Sequence, residues 1–269
     1  MTQIRVYPAH NPVARLRHLM ILTVTLAPTF DLTYRLPEMH EHVINRVDSK
    51  NIEPSGKGIN VSVALAQEGY ATTAIAPIPD TPLGNLWIEM AEERFPVKTS
   101  LTSREIRINT SIVDNTAVTK INERAVELSD SEVSDLIDVV KLQAAAAQPT
   151  WIAICGTIHP KNVASVASAL KTISTQSGAR LAVDCSGEAL SALLDFEPDL
   201  IKPNRDELKE IYPEMGSSID SYLEHVKKLA KRINGTVLCT DGSKTGIATD
   251  GTTVVEMTPP QLTGVNSIG

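Results

Sequence analysis

The chain has 269 residues and a formal net charge of −7, with 25 Lys and Arg against 32 Asp and Glu. This balance argues against a general nucleic-acid binder, since binding to a phosphate backbone requires an excess of basic side chains. Aromatic residues make up 4% of the chain, which is too few to favour base stacking. The sequence has no apolar run of the roughly 18 residues that predict a membrane span. The net charge does not exclude binding of a small anionic ligand, because such binding needs only a local group of basic side chains.

The first 30 residues contain no Asp or Glu but carry Arg5, Arg15 and Arg17, followed by an apolar stretch at residues 19–27. A basic region before an apolar one resembles a secretory signal. The alternative is a buried first strand, rich in β-branched residues and closed by Pro28, and it fits the rest of the chain better. Met20 opens this strand, so residues 1–19 are predicted to be a disordered basic extension, with either Met1 or Met20 as the natural start.

From residue 151 onward, short apolar runs alternate with amphipathic stretches. Strands are predicted at residues 151–155, 181–184, 200–202 and 236–240, and helices at residues 160–177, 188–194, 205–211 and 219–233. In the first of these helices the apolar side chains share one face, which comprises Val163, Val166, Ala167, Leu170 and Ile173. This alternation predicts an α/β fold with a central, mostly parallel sheet flanked by helices.

The first half of the chain is more mixed. Helices are predicted at residues 60–69, 83–94 and 129–147, and the last begins with the capping-box spacing of Ser129 and Glu132. Its predicted apolar side comprises Val133, Leu136, Ile137, Val140 and Leu142. Residues 31–48 and 104–123 alternate polar and apolar side chains, which predicts strands with one exposed face. Such strands suit a small β lid over a ligand.

The three cysteines, Cys155, Cys185 and Cys239, are far apart in the sequence, and no CxxC pair occurs. This spacing rules out a zinc knuckle or a thioredoxin-type motif. We therefore expect reduced, buried thiols in a cytoplasmic protein.

The most informative segment is Ser55-Gly-Lys-Gly-Ile-Asn60, directly before a predicted helix. Its glycines let main-chain N–H groups approach a ligand closely, and the helix N-terminus and Lys57 both attract anions. The segment suits a phosphate or sugar hydroxyls, although an ordinary glycine-rich turn remains the alternative. It is not a Walker A loop.

Two further segments follow predicted strands. In Lys202-Pro-Asn-Arg-Asp-Glu207, Asn204 is predicted to be a helix N-cap, with Glu207 at the capping-box offset. The same two side chains offer oxygen atoms for a hydrated Mg²⁺ beside nucleotide phosphates. The segment Thr240–Gly246 is a glycine-bearing turn, which a nucleotide can lie against but which is more often a plain turn.

Together these segments resemble the PfkB (ribokinase-like) family of sugar kinases, chiefly its 1-phosphofructokinase branch, with the minor bacterial 6-phosphofructokinase close behind. The resemblance runs from Thr23 to Gly269. It is carried by the stretches Thr23–Asp31, Asn45–Arg46, Ser55–Val61, Arg107–Asn109, Thr119–Glu123, Val183–Leu190 and Lys202–Glu207.

This resemblance implies a ribokinase-like kinase domain over residues 20–269, with lid strands within about residues 31–48 and 104–123. It implies transfer of the ATP γ-phosphate to a ketohexose phosphate, with fructose 1-phosphate converted to fructose 1,6-bisphosphate. Fructose 6-phosphate and tagatose 6-phosphate remain alternative substrates. ATP and Mg²⁺ are the implied cofactors, and a homodimer through the lid is the implied assembly.

The resemblance also implies a role for individual residues. The implied sugar-phosphate ligands are Asp31, Gly56, Lys57, Asn60, Arg107 and Asn109. The implied ATP ligands are Lys202, Asn204, Thr240, Gly242 and Gly246, and the implied Mg²⁺ ligands are Asn204 and Glu207.

Asn266–Gly269 resembles the opening of the family signature Asn/Asp-x-x-Gly-Ala-Gly-Asp, whose Asp is the catalytic base. Gly269 would begin the anion hole, and we expect the chain to be truncated there, before its catalytic Asp. A catalytically inactive relative that binds a sugar phosphate is the alternative. Ser55, where the family usually has Gly, and Thr157–Pro160, where it usually has Ser-Leu-Pro-Pro, also depart from the pattern.

Overall fold

The computed structural model describes residues 19–259, which fall into two compact units, residues 19–181 and residues 182–259. The predicted basic extension, up to residue 18, lies outside the described residues. So does Gly269, the predicted start of the anion hole. Within residues 19–259, no helix is long and apolar enough to cross a membrane.

The first unit contains four parallel strands, β1 (Met20–Val24), β4 (Ala71–Ile78), β5 (Val97–Leu101) and β8 (Trp151–Cys155). They are ordered β8-β1-β4-β5, so the predicted first strand lies between two partners. Continuous apolar runs and parallel pairing are typical of a sheet covered by helices on both faces.

A second, smaller sheet in this unit corresponds to the expected lid. Its strands are β2 (Thr29–Arg35), β3 (Ser49–Ser55), β6 (Arg107–Val113) and β7 (Val118–Ile121), in the order β3-β2-β6-β7. The predicted range 31–48 was wrong for the second strand, because residues 36–48 form no strand and β3 begins at Ser49. Pro37 lacks a main-chain N–H, and His42 has a φ of 61°, which a strand does not tolerate.

The helices of the first unit are α1 (Lys57–Gln67), α2 (Pro82–Glu92), α3 (Asp130–Ala147) and α4 (Pro160–Ser177). All five apolar side chains predicted to share one face of α4 are buried. In α3 the prediction was wrong for Leu142, which is 66% exposed. Leu142 follows the buried Val140 by two residues, and that spacing is about 200° around a helix.

The small sheet is fixed by an apolar cluster under one of its faces. Phe30 of β2 and Trp87 of α2 are fully buried, and Ile52 and Ile108 pack against the same cluster. The Trp87 indole Nε1 donates a hydrogen bond of 2.8 Å to the Thr29 carbonyl oxygen. Because side chains alternate along a strand, the apolar face under β2 leaves the opposite face for polar residues.

The second unit begins within β9 (Arg180–Asp184) and continues with β10 (Leu200–Ile201), β11 (Thr236–Asp241), β12 (Lys244–Thr249) and β13 (Val254–Met257). The pairs β9–β10 and β10–β11 are parallel, and the pairs β11–β12 and β12–β13 are antiparallel. Its helices are α5 (Gly187–Leu193), α6 (Arg205–Ile211) and α7 (Ile219–Ile233). The α/β fold with a mostly parallel sheet is confirmed, and all three cysteines are free and buried.

A buried carboxylate joins α3 to the end of β5. Glu132 accepts hydrogen bonds from the N–H and hydroxyl groups of Ser103 and Ser129 and from the Thr102 hydroxyl. Burial alone would raise the pKa of this carboxyl, but these hydrogen bonds outweigh it and lower the pKa from 4.5 to about 2. The ionised form is therefore favoured by folding.

We expect Glu132→Gln to lower the free energy of unfolding at pH 7 by about 3 kcal/mol, the linkage value of this pKa shift. Because the pKa of Glu132 is lower in the folded state, the ionised carboxylate stabilises the folded protein at pH values above 4.5, the unfolded pKa. This stabilisation is lost as the pH falls toward about 2. Urea unfolding from pH 6 to pH 3 measures the effect, with the exposed Asp135→Asn on the same helix as control. Parallel pH profiles for wild type and Glu132→Gln would contradict it.

Candidate functional site

The polar face of the lid sheet, opposite the Phe30 cluster, carries three of the six predicted sugar ligands, Asp31, Arg107 and Asn109. In the strand register, Thr29 lies opposite both Ser55 and Arg107, and Asp31 lies opposite Asn109. Directly paired residues, and residues two apart on one strand, point to the same side of a sheet. These five side chains therefore share one face, although they come from three separate strands.

Asp31 is the centre of a hydrogen-bonded cluster on this face. Its carboxylate accepts from the Thr29 hydroxyl at 3.1 Å, the Ser55 hydroxyl at 2.7 Å and the Asn109 amide at 3.3 Å. The Ser55 hydroxyl also lies 3.2 Å from Asn60 Oδ1, in the first turn of α1. The structure thus brings together Asp31, Asn60 and Asn109, three of the predicted sugar ligands.

The Asn109 side chain has an acceptor that the protein does not use. Its Oδ1 atom is buried and has no hydrogen-bond partner within the described residues. A buried polar atom without a partner is unfavourable, so such atoms commonly mark a missing ligand or water. A sugar hydroxyl donating to Asn109 Oδ1 would satisfy it.

The glycines around Lys57 let the start of α1 pack close to β1. Gly56 is the N-cap of α1 with a φ of 129°, a conformation that side chains disfavour. A Cβ at Gly58 would collide with Thr25 Oγ1 and lie 3.5 Å from Cys155 Cβ. The exposed Lys57 therefore projects from a helix N-terminus, where the main-chain dipole also favours anions.

Arg107 lies on the polar face, but the protein itself uses much of its guanidinium. One terminal nitrogen donates to the Glu123 carbonyl oxygen at 2.8 Å and the other to the Ala27 carbonyl oxygen at 2.6 Å. Burial lowers the pKa of the guanidinium, against the opposing effects of Glu123 and Asp31. Its buried Nε has no hydrogen-bond partner within the described residues.

In the second unit, Asn204 and Glu207 form a reciprocal capping box at the start of α6. Asn204 Oδ1 accepts from the Glu207 N–H at 2.8 Å, and Glu207 Oε2 accepts from the Asn204 N–H at 2.8 Å. The helix-capping role that the sequence predicted for Asn204 and Glu207 is therefore present in the structure. Within residues 19–259, no three His, Cys, Asp or Glu side chains converge as a metal site.

The oxygen atoms of Asn204 and Glu207 fit Mg²⁺ only if phosphate and water provide the remaining ligands. One amide oxygen and one carboxylate are fewer ligands than a metal site made by the protein alone, but they suit a hydrated Mg²⁺ bound to nucleotide phosphates. Nearby, Lys202 forms an ion pair with Asp184 at 3.3 Å, between the ends of β9 and β10.

The other predicted nucleotide segment is the β11–β12 hairpin. Gly242 has a φ of 57°, and a Cβ there would meet nothing within 4 Å, so this turn borders open space that a ligand can occupy. Gly246 has a packing role as well, since a Cβ there would lie 2.9 Å from the Cys239 carbonyl oxygen. Thr240 pairs with Asn204 through an isolated bridge, which brings the two predicted nucleotide segments together.

Two members of the Asp31 cluster, Ser55 and Thr29, were not predicted as ligands from the sequence. Ser55 begins the segment predicted to suit a phosphate or sugar hydroxyls, but its own side chain was noted only as a departure from the family pattern; its buried hydroxyl joins Asp31 to Asn60. Thr29 was not singled out at all. A sequence signal existed for Thr29, because it precedes Asp31 by two residues in an alternating strand and so shares its face.

Comparison with known proteins gives the same family from sequence. A sequence model described as pfkB family carbohydrate kinase matches residues 24–269. A protein from Rhodobacter capsulatus named 1-phosphofructokinase is 28% identical over 260 residues, which cover 93% of this chain and 80% of that protein.

Solved structures support the fold. Phosphofructokinase-2 from Escherichia coli, in complex with substrates and products, superposes with a TM-score of 0.83 at 24% identity, covering 93% of this chain and 82% of that one. The same enzyme in complex with fructose-6-phosphate gives a TM-score of 0.80 at 23% identity, covering 93% of this chain and 83% of that one.

Proposed function

Because this chain belongs to the pfkB family of carbohydrate kinases, we propose that it transfers the γ-phosphate of ATP to a hydroxyl of a ketohexose phosphate. Fructose 1-phosphate is the proposed acceptor and fructose 1,6-bisphosphate the product. The choice of fructose 1-phosphate is supported by the similarity to the Rhodobacter capsulatus protein over 93% of the chain.

The observation that carries the proposal is the hydrogen-bonded cluster around Asp31. A sugar presents several hydroxyls, each both a donor and an acceptor, and the cluster offers a charged acceptor beside amide donors and acceptors. Asn109 Oδ1 adds a buried acceptor that has no partner in the described part of the chain.

The basic groups beside this cluster suit the phosphate of the acceptor. Lys57, at the start of α1, and the Nε of Arg107 lie on elements that also hold the sugar ligands. Phosphoryl transfer depends chiefly on positioning and on neutralising negative charge. In this proposal Asp31, Asn60 and Asn109 orient the sugar, while Lys57 and Arg107 neutralise its phosphate.

The second unit supplies the proposed nucleotide side. Lys202 and the open turn at Gly242 bind ATP, and Asn204 and Glu207 hold Mg²⁺ through water and phosphate. When bound, Mg²⁺ neutralises charge on the transferred phosphate. The contribution of the protein is a rigid helix start, because the capping box fixes both side chains relative to α6.

An ADP-release assay tests the proposal, with fructose 1-phosphate, fructose 6-phosphate and tagatose 6-phosphate compared as acceptors. We expect the highest kcat/KM with fructose 1-phosphate. A preference for fructose 6-phosphate or tagatose 6-phosphate would overturn the proposed substrate, while the proposed sugar-phosphate kinase activity would stand. Calorimetric binding of fructose 1-phosphate without ADP release would contradict turnover by this chain and leave the alternative, an inactive relative that binds a sugar phosphate.

Substitution of Glu207 separates its capping role from its proposed Mg²⁺ role. Glutamine caps helices as glutamate does, so Glu207→Gln is expected to keep the thermal unfolding temperature within about 2 °C. It loses the carboxylate charge, and we expect KM for MgATP to rise about tenfold. Glu207→Ala, the comparison variant, should lose both properties. An unchanged KM for MgATP in Glu207→Gln would show that Glu207 caps the helix but does not contribute to Mg²⁺ binding.

A further inference from the structure

Arg205 lies in the sequence between Asn204 and Glu207, the two proposed Mg²⁺ ligands. Its contacts are explained neither by helix capping nor by Mg²⁺ binding. One terminal nitrogen of its guanidinium donates to Asp241 Oδ2 at 2.8 Å, and the side chains of this ion pair are 23% and 18% exposed. The other terminal nitrogen donates to the Ser217 carbonyl oxygen at 2.7 Å. One side chain therefore joins the start of α6, the end of β11 and the loop before α7.

The ring of Tyr222 supports this guanidinium from one side. Arg205 Cζ lies 4.8 Å from the ring centroid, at a distance where a cation is attracted to an aromatic face. Tyr222 is fully buried, and its hydroxyl donates to the Cys239 carbonyl oxygen at 3.0 Å. The ring is thus fixed to β11, the same strand that carries Asp241.

These contacts are important because Asp241 directly precedes the hairpin turn at Gly242, one of the proposed ATP-binding segments. The main chains of the two segments already meet where Asn204 pairs with Thr240, and the Thr240 N–H donates to the Pro203 carbonyl oxygen at 3.1 Å. The Arg205–Asp241 ion pair fixes the next residue, at which the hairpin turn through Gly242 begins. The ion pair thus adds a side-chain contact to the main-chain bridge at Thr240.

We propose that Arg205 is a positioning residue for the nucleotide, which holds the Gly242 turn in register with the capped start of α6. This proposal rests on the proposed function, because it assumes that these two segments bind ATP. Arg205 itself need not touch the nucleotide. A lysine would be a poor substitute, since one ammonium cannot reproduce two divergent hydrogen bonds from a guanidinium that lies over the Tyr222 ring.

Calorimetry on the full chain tests this inference, with ADP and fructose 1-phosphate titrated separately. We expect Arg205→Met to weaken ADP binding about thirtyfold and Arg205→Lys about tenfold. The affinity for fructose 1-phosphate should change less than about twofold in both, because its proposed ligands lie in the other unit. Binding measurements do not depend on turnover, so the result stands whether or not the chain is active.

A double-mutant cycle tests the route through Asp241. If Arg205 acts through that carboxylate, Arg205→Met combined with Asp241→Asn should bind ADP about as well as Arg205→Met alone. Arg232→Met is the matched control, since Arg232 forms an ion pair of 3.1 Å with Asp195 in the same unit. This control should leave the affinity for ADP unchanged.

The outcomes separate the inference from the proposed function. Absence of ADP binding by the wild type would overturn both the nucleotide side of the function and the role of Arg205. Wild-type binding of ADP with unchanged affinity in Arg205→Met would overturn the positioning role alone. A lower unfolding temperature with parallel losses for both ligands would reduce Arg205 to a structural residue.

Discussion

Asp31→Ala is expected to lower the affinity for fructose 1-phosphate, and with it kcat/KM, by about a hundredfold. A hydrogen bond to a charged group contributes about 1.5–3 kcal/mol, and the substitution removes the charged acceptor at the centre of the cluster. It also leaves the Ser55 hydroxyl and the Asn109 amide without the acceptor they use in the structure. ADP binding should be unaffected, because its proposed ligands belong to the other unit.

Calorimetry with fructose 1-phosphate and with ADP measures this difference directly. Asp138→Asn, an exposed position on α3, is the control for loss of an acidic side chain in the same unit. Asp31→Asn provides a second variant, in which the shape is kept but an amide donor faces the other donors of the cluster. Tight binding of fructose 1-phosphate by both Asp31 variants would remove the main support for the proposed function.

Gly58→Ala is expected to destabilise the protein and to weaken sugar-phosphate binding about tenfold. Alanine is normally favoured over glycine within a helix by about 1 kcal/mol. Here its Cβ would collide with Thr25 Oγ1 and lie 3.3 Å from the Val24 carbonyl oxygen. Overpacking of this kind costs about 1–3 kcal/mol. The start of α1 must then move, and Lys57 and Asn60 move with it.

Thermal unfolding and calorimetry with fructose 1-phosphate check this prediction together. Gly216→Ala is the control, since a Cβ there would meet Ser221 at 3.4 Å, an ordinary contact. Combining Gly58→Ala with Thr25→Ala should recover part of the loss, because Thr25 Oγ1 is the closest colliding atom and has no hydrogen-bond partner among residues 19–259. A Gly58→Ala variant as stable and as tightly binding as wild type would show that α1 accommodates the methyl group without moving.

The sequence was sufficient to predict elements whose residues interact locally. The capping boxes at Ser129–Glu132 and Asn204–Glu207 were readable as spacings of three residues, because each is closed by hydrogen bonds within one turn. The buried face of α4 followed from helical periodicity alone. The α/β fold followed in the same way from alternating strands and helices.

Predictions failed where the outcome depended on neighbouring elements or on single backbone positions. Leu142 matched an apolar pattern but lies outside the arc of α3 that is covered. The second lid strand begins after residue 48, because the chain from Pro37 to His42 turns before it pairs with β2. The phosphate contact of Arg107 stays a prediction, and only the structure could show that two carbonyl oxygens already accept hydrogen bonds from its guanidinium.

The family, the α/β architecture and most residues of the proposed site could be predicted from local patterns of neighbouring residues, because motifs and periodicity do not depend on tertiary contacts. Only the tertiary structure could place Ser55 and Thr29 beside Asp31, or Arg205 against Asp241 and Tyr222. Such contacts join residues that are close in space through strand register and helix packing. The register of β2 with β3 and β6 depends on the burial of Phe30 and Trp87, which no local motif encodes.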